Sequence, residues 1–243
     1  MIIDTHCHYD MFENPLQLIQ ECEKQKIITM GMTNLPSHFE MGVNHIKGFK
    51  YIRLALGLHP LMSDNHSSEL IRFQNSINKT SYIGEVGLDF SNEGINTKDK
   101  QIESFEFVLN SIKGKNKIVS LHSRKAELEV LMLLKKYNIE NAIFHWYSGS
   151  LIVLKSIIES GFYFSINTAM ITSIAGRKII SAIPINKILT ETDSPYVQYL
   201  GKPAKPENVK VVIRFLANYY NKSHLDVENQ VFENFNKLIN KIR

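Results

Sequence analysis

The sequence predicts an α/β protein, a closed (β/α)8 TIM barrel with additional helices at its C-terminal end. Three observations predict it. Short, almost wholly apolar runs alternate with amphipathic helical patterns along the chain, and such strands belong to a parallel sheet covered on both faces. The runs number eight, and 243 residues is close to the size at which eight β/α units close into a barrel. Histidine, glutamate and aspartate residues also recur at or just after the ends of these runs, where barrels of this type carry their chemistry.

Met1, Ile2 and Ile3 open the first strand. Asp4-Thr5-His6-Cys7-His8 continues it, so His6 and His8 share one side and Cys7 takes the other. Asn14-Pro15 opens a helix in which Leu16, Ile19, Cys22 and Glu23 keep helical spacing. Strands follow at 27–32, 51–57, 82–86, 117–121, 141–144, 162–166 and 187–190, with helices at 37–48, 66–79, 98–112, 125–137, 150–160 and 172–182. Two more helical patterns, 206–221 and 225–243, end the chain. No linker, low-complexity stretch or repeat divides it, so one domain over 1–243 is expected.

Hydrophobic residues at 44% and charged residues at 21% exclude a disordered or fibrous chain. No apolar run approaches the roughly 18 residues that span a bilayer, and the N-terminus lacks the pattern of a signal peptide. A cytoplasmic protein that does not engage a membrane is therefore expected. Two cysteines, Cys7 and Cys22, cannot build a disulfide framework, and Cys7 is expected to be a small buried hydrophobe. The net charge of +4 permits a polyanionic substrate without requiring one.

A lone His-x-His pair is a weak sign of a metal site, but a barrel gathers this one with others. His6 and His8 end the first strand, His59 the third, Glu85 the fourth, His122 the fifth, His145 the sixth and Asp193 the eighth. Four imidazoles with two carboxylates suit divalent cations such as Mg, Mn or Zn, and they outnumber the ligands of a single four-coordinate ion. The expectation is two cations bridged by Glu85, with His6, His8 and Asp193 on one and His122 and His145 on the other. Two ions about 3.5–4 Å apart activate a water and stabilise both oxygens of an in-line displacement, so phosphoester hydrolysis follows.

Asp193 is the candidate general base beside Glu85. Glu191 is expected behind the ligands, and Asp89 either orients a ligand histidine or caps a turn. Arg124 is either a bidentate clamp on a phosphate or a solvated residue. Ser148-Gly149-Ser150 either receives an anion on its amides or caps the next helix. His59, Trp146 and Tyr196 complete the candidate substrate contacts. The two rings flank ligand positions and are suited to stacking on a base, although core packing is the plainer role for either ring alone. His38, His45, His66 and His224 fall in helices or helix starts and are read as solvated or capping residues.

Taken together, the motifs resemble those of the TatD family of metal-dependent deoxyribonucleases, within the amidohydrolase-like barrels. The resemblance covers almost the whole chain. It rests on Asp4-Thr5-His6-Cys7-His8, Gly57-Leu58-His59-Pro60, Gly84-Glu85-Val86-Gly87-Leu88-Asp89, Leu121-His122-Ser123-Arg124, His145-Trp146-Tyr147-Ser148-Gly149 and Glu191-Thr192-Asp193-Ser194-Pro195-Tyr196, in that order. It implies a two-metal site with ligands His6, His8, Glu85, His122, His145 and Asp193. It also implies a 3′ to 5′ exonuclease acting on single-stranded DNA or 3′ ends.

The sequence departs from the family pattern in three places. Leu61 stands where members usually carry the second histidine of His-Pro-His, which removes a phosphate contact. Trp146-Tyr147 replaces the Cys-Phe that many carry after the sixth strand, and Gly201-Lys202-Pro203 replaces a longer basic segment. In these features the chain more nearly resembles the TatD-like nuclease of the Qat anti-phage defence system, which implies defence-system protein partners and phage DNA.

Two other readings are separable. Relatives acting on amides, lactones or small phosphoesters often bridge their metals with a carbamylated lysine after the fourth strand, where this chain has Glu85. A catalytically silent subunit of a larger assembly would show degenerate ligands, and here all six are present.

Overall fold

The computed structural model describes residues 1–242. Its strands are β1 Ile3–Cys7, β2 Ile28–Gly31, β3 Ile52–Leu54, β4 Leu56–Leu58, β5 Tyr82–Gly87, β6 Ile118–His122, β7 Ala142–His145, β8 Tyr163–Ile166 and β9 Ile188–Thr190, followed by a hairpin of β10 Gln198–Tyr199 and β11 Lys202–Pro203. The helices are α1 Pro15–Gln25, α2 Pro36–Gly42, α3 His66–Ser76, α4 Lys98–Ile112, α5 Glu127–Lys136, α6 Leu151–Glu159, α7 Thr168–Thr172, α8 Ile174–Ala182, α9 Val209–Tyr220 and α10 His224–Asn240. β1 to β9 form the eight-stranded parallel barrel. The last position of the predicted C-terminal helix, Arg243, lies outside the described residues.

Eight barrel strands appear as nine because the third is broken. β1, β2 and β3 pair in parallel, β4 to β9 pair in parallel, and Ala55 falls between the two ladders. Thr33 makes the join. Its hydroxyl donates to Ala55 O at 2.9 Å and accepts from Gly57 N–H at 3.1 Å, while its backbone pairs with Gly84 O and Glu85 N–H. Thr33 O passes so close over Gly57 that a Cβ there would lie 1.5 Å from it. Glycine at 57 therefore lets the end of the second strand reach the fourth.

The barrel closes between β9 and β1 with few backbone bonds. Thr5 donates its hydroxyl to Thr190 O at 3.1 Å, and Thr190 returns a bond to Ile3 O. Beyond the strand ends, Asp193 N–H donates to His6 O and His8 N–H to Ser194 O, both at 2.8 Å.

Helices cover the outside as their patterns predict. Asn14 caps α1 by accepting from Gln17 N–H, and Leu18, Ile19 and Cys22 are buried. In α9, Val209, Val212, Ile213 and Leu216 form one buried stripe at helical spacing. Each such side chain contributes about 1.5–3 kcal/mol on burial. α10 begins at a Ser223–Asp226 capping box and anchors through Asn234, which donates to Ile185 O and Ile188 O at 2.8 Å.

The helix predicted at 37–48 ends early, at Gly42, and continues as turns. The one predicted at 172–182 begins at Ile174, because Ser173 is extended and caps α8 by accepting from Gly176 N–H, and the short α7 precedes it. No helix among the described residues is long and apolar enough to cross a membrane.

Candidate metal centre

Parallel pairing puts every strand end on one rim, and the side chains there converge on Glu85. Its Oε1 lies 2.6 Å from His122 Nδ1 and 2.8 Å from His145 Nε2. Its Oε2 lies 3.1 Å from His8 Nε2, 3.4 Å from His6 Nε2 and 3.3 Å from His59 Nε2. Asp193 Oδ1 stands 3.6 Å from His6 Nε2 and 3.8 Å from His8 Nε2. Among the described residues three groups have donor atoms within 4.8 Å of one another: His6–His8–Asp193, His6–Glu85–His145 and His59–Glu85–His122. Both Asp193 and Trp146 adopt left-handed backbone conformations, with φ of 49° and 36°, which persist only where surroundings hold them.

The far side of each ring decides what its near side offers. His6 Nδ1 contacts Ser120 Oγ at 2.8 Å, and with the hydroxyl as acceptor the ring offers the lone pair of Nε2 towards the centre, where His8 Nε2 lies 3.3 Å away. His122 is gripped through Nε2 by Asp89 Oδ2 at 2.8 Å, leaving Nδ1 for the centre. His145 Nδ1 faces Glu191 Oε1 at 3.8 Å and has no hydrogen-bond partner. His59 differs. Its Nδ1 accepts from Leu61 N–H at 3.2 Å, so the neutral ring carries its proton on Nε2 and donates inward instead of offering a lone pair.

Buried groups hold these side chains in turn. Glu191 is fully buried, accepts from Asn167 Nδ2 at 2.9 Å and Trp146 N–H at 3.1 Å, and is bonded by Ser165 Oγ. Asp89 accepts from Ser91 N–H at 2.8 Å and is braced through its own N–H by Gln101 Oε1 at 2.8 Å. Asp4, Ser120, Ser165 and Asn167 escape sequence reasoning. Their only local sign is polarity within or just after an apolar strand, where an unpaired polar group would be costly.

The charges follow from this crowding. Burial alone would raise Glu85, but the histidines around it hold it well below the usual carboxylate range. Burial pushes His6 well below the ordinary histidine value, helped by neighbouring His145. Burial also disfavours charge on His122 and His145, yet Glu85 with Asp89 raises the first and Glu85 with Glu191 raises the second well above its usual value. Asp193 is pushed by burial up to about 7, and Asp89, despite burial, is held at about 2 by His122 and Ser91.

A cavity of about 470 Å³ opens above the centre, lined by Glu85, Asp193, His59, Arg124, Trp146 and Tyr196 among others. Trp146 and Tyr196 are 37% and 54% exposed, so neither ring is core. Tyr196 meets His8 edge-on with ring centroids 5.1 Å apart. Arg124 is paired with Glu93 Oε1 at 2.9 Å at the mouth. Ser150 caps α6 by accepting from Val153 N–H. His45 and His224 are exposed and His38 is half-buried, but His66 is a correction. It is buried and its Nε2 donates to His59 O at 3.0 Å, because the turn after the third strand folds back over it.

The sequence model of the TatD-related DNases matches residues 3–240. The chain belongs to the TatD family. This TatD protein is 25% identical over 265 residues to human deoxyribonuclease TATDN3, covering 100% of this chain and 96% of the relative. It is 28% identical to a metal-dependent hydrolase of Buchnera aphidicola, over 98% of this chain and 96% of that one. Among solved structures, the Escherichia coli TatD homologue YjjV superposes with a TM-score of 0.87 at 23% identity, over 98% and 97% of the two chains. Campylobacter jejuni dihydroorotase superposes at 0.65 and 14% identity, over 98% and 83%, and so shares the barrel fold. The chain is thus a TatD-family metal-dependent hydrolase, and its clustered His, Glu and Asp donors form groups that could hold a metal ion.

Proposed function

We propose that this TatD protein hydrolyses DNA phosphodiester bonds with two divalent cations, Mg, Mn or Zn, and removes nucleotides from 3′ ends of single strands. The observation that carries the reading is Glu85, whose two oxygens face two different sets of imidazoles, His122 and His145 on one side and His6 and His8 on the other. So placed, Glu85 would help to hold both cations. Bound there, the cations would supply a water that ionises near neutral pH and would offset charge on the attacking and leaving oxygens.

The chain supplies the rest. His6, His8 and Asp193 would hold one ion, and His122 and His145 the other. Asp193, which lines the cavity, would take the proton of the attacking water. His59 points its Nε2 proton at the centre and would donate to a phosphate oxygen. Arg124 exchanges its Glu93 partner for a neighbouring phosphate, a pairing open to solvent and cheap to break. Trp146 and Tyr196 stack on the flanking bases. Human TATDN3, a named deoxyribonuclease of matching length, supports DNA as the substrate. Work on phage DNA beside defence-system partners in the cytoplasm, by residues 1–243 acting as one unit, completes the proposal.

The test uses end-labelled single-stranded DNA and a small phosphodiester, with wild type and Glu85→Ala, and metal content measured on both. Cation-dependent shortening of the DNA from its 3′ end, abolished in a folded Glu85→Ala, is the expected result. Turnover of the small ester alone would move the reading to another hydrolase class, and full activity in Glu85→Ala would remove the site.

A further inference from the structure

Asp4 is completely buried and takes no part in the chemistry above. It sits at the seam between β1 and the segment after β9. Its Oδ1 accepts from His6 N–H at 3.1 Å and from Thr192 N–H at 3.0 Å, and its Oδ2 takes the Thr192 hydroxyl. One carboxylate thus ties together two stretches of backbone 188 positions apart. His6 is one of these anchors, and Asp193 directly follows the other.

The seam needs such a tie. β1 and β9 belong to different hydrogen-bonded ladders, and beyond threonine hydroxyls the contact rests on the Asp193–His6 and His8–Ser194 backbone bonds and one isolated bridge, Cys7 with Ser194. Asp193 also holds a left-handed φ of 49°, a conformation that costs a non-glycine residue about 1–2 kcal/mol. Glu85, His122 and His145, by contrast, sit on β5, β6 and β7, neighbours within one continuous six-stranded ladder. Their spacing owes nothing to the seam.

We propose that Asp4 is a positioning residue that sets the separation of His6 from Asp193, and with it the spacing of the donors for one cation of the pair. The assignment rests on the two-cation reading above. A merely structural residue would weaken both donor sets alike. Asp4 acts on one.

The experiment titrates metal-free protein with Co²⁺, read by calorimetry and visible absorption, alongside thermal melts. Wild type should bind two equivalents. Asp4→Ala should lose at least tenfold in affinity at one step and stay within threefold at the other. Asp4→Asn keeps an oxygen for both N–H groups and turns its amide to the Thr192 hydroxyl, so it should restore wild-type binding. Thr192→Ala should weaken the same single step two- to fivefold. Asp4→Ala with both steps unchanged, or both weakened equally, overturns the proposal. If Asp4→Ala does not fold, Thr192→Ala decides, and two unchanged steps there overturn it. A wild type that binds one equivalent overturns the two-cation reading itself, and this proposal with it.

Discussion

Asp89 Oδ2 lies 2.8 Å from Nε2 of His122, on the side of the ring away from Glu85. The carboxylate fixes the ring's proton on Nε2 and leaves Nδ1 for the centre. Removing such a partner costs about 10- to 100-fold in metal affinity. Asp89→Ala should therefore bind Co²⁺ more weakly by that factor, measured at a temperature where the melt shows the metal-free variant still folded. Unaltered Co²⁺ affinity would show that His122 needs no orientation.

Metal binding should strengthen as pH rises. In the metal-free protein, burial works against charged His122 and His145, but Glu85 and the other carboxylates raise both, and Glu85 itself is held low. That ion pairing stabilises the metal-free fold fully below the ordinary histidine value and is lost as pH climbs through the raised values. An incoming cation must expel those protons, and the one on Asp193, pushed up to about 7 by burial, leaves as well. Calorimetry in two buffers of different ionisation enthalpy should reveal net proton release at pH 7. A buffer-independent heat would contradict this.

How far the sequence could be read depends on where each constraint lies. Apolar parallel strands announce themselves, and His6, His8, Glu85, His122, His145 and Asp193 stand at their ends, so topology alone brings these residues to one rim. The break at Ala55 was invisible because residues 51–57, Arg53 apart, are apolar on both sides of it, and its cause, Thr33 crossing Gly57, is a contact between strands. Asp4 and Ser120 act across 188 and 114 positions of chain, and no local pattern encodes such partners. The β10–β11 hairpin did leave a sign. Leu200 and Gly201 both take positive φ, 53° and 74°, the geometry of a tight two-residue turn, for which the glycine is the available cue.

His66 should make the fold acid-sensitive. Burial lowers it to about 4 against an ordinary 6.5. Between these values the unfolded chain binds a proton that the folded chain refuses, so stability falls as pH drops from 6.5 towards 4 and is unaffected above. The full shift corresponds to about 3 kcal/mol. His66→Gln keeps a donor for His59 O and removes the titration. Its urea midpoint should change less between pH 7 and pH 4.5 than that of wild type, and parallel loss in both proteins would exclude His66 as the cause.

Gly57 should tolerate no side chain. A Cβ there would lie 1.5 Å from Thr33 O, the atom that accepts Glu85 N–H at 3.2 Å. Backbone cannot yield as a flexible side chain does, so Gly57→Ala must push Thr33 off both strands and release the peptide that carries Glu85. A loss of at least about 3 kcal/mol is expected, the upper end for overpacking. Gly161→Ala is the control: its φ of 89° disfavours alanine, yet a Cβ there meets nothing within 4 Å. Its cost is confined to conformational preference, about 1–2 kcal/mol. Urea unfolding that ranks Gly57→Ala no lower than Gly161→Ala would show that the crossing at Thr33 can relax, and that Glu85 is held by something other than this contact.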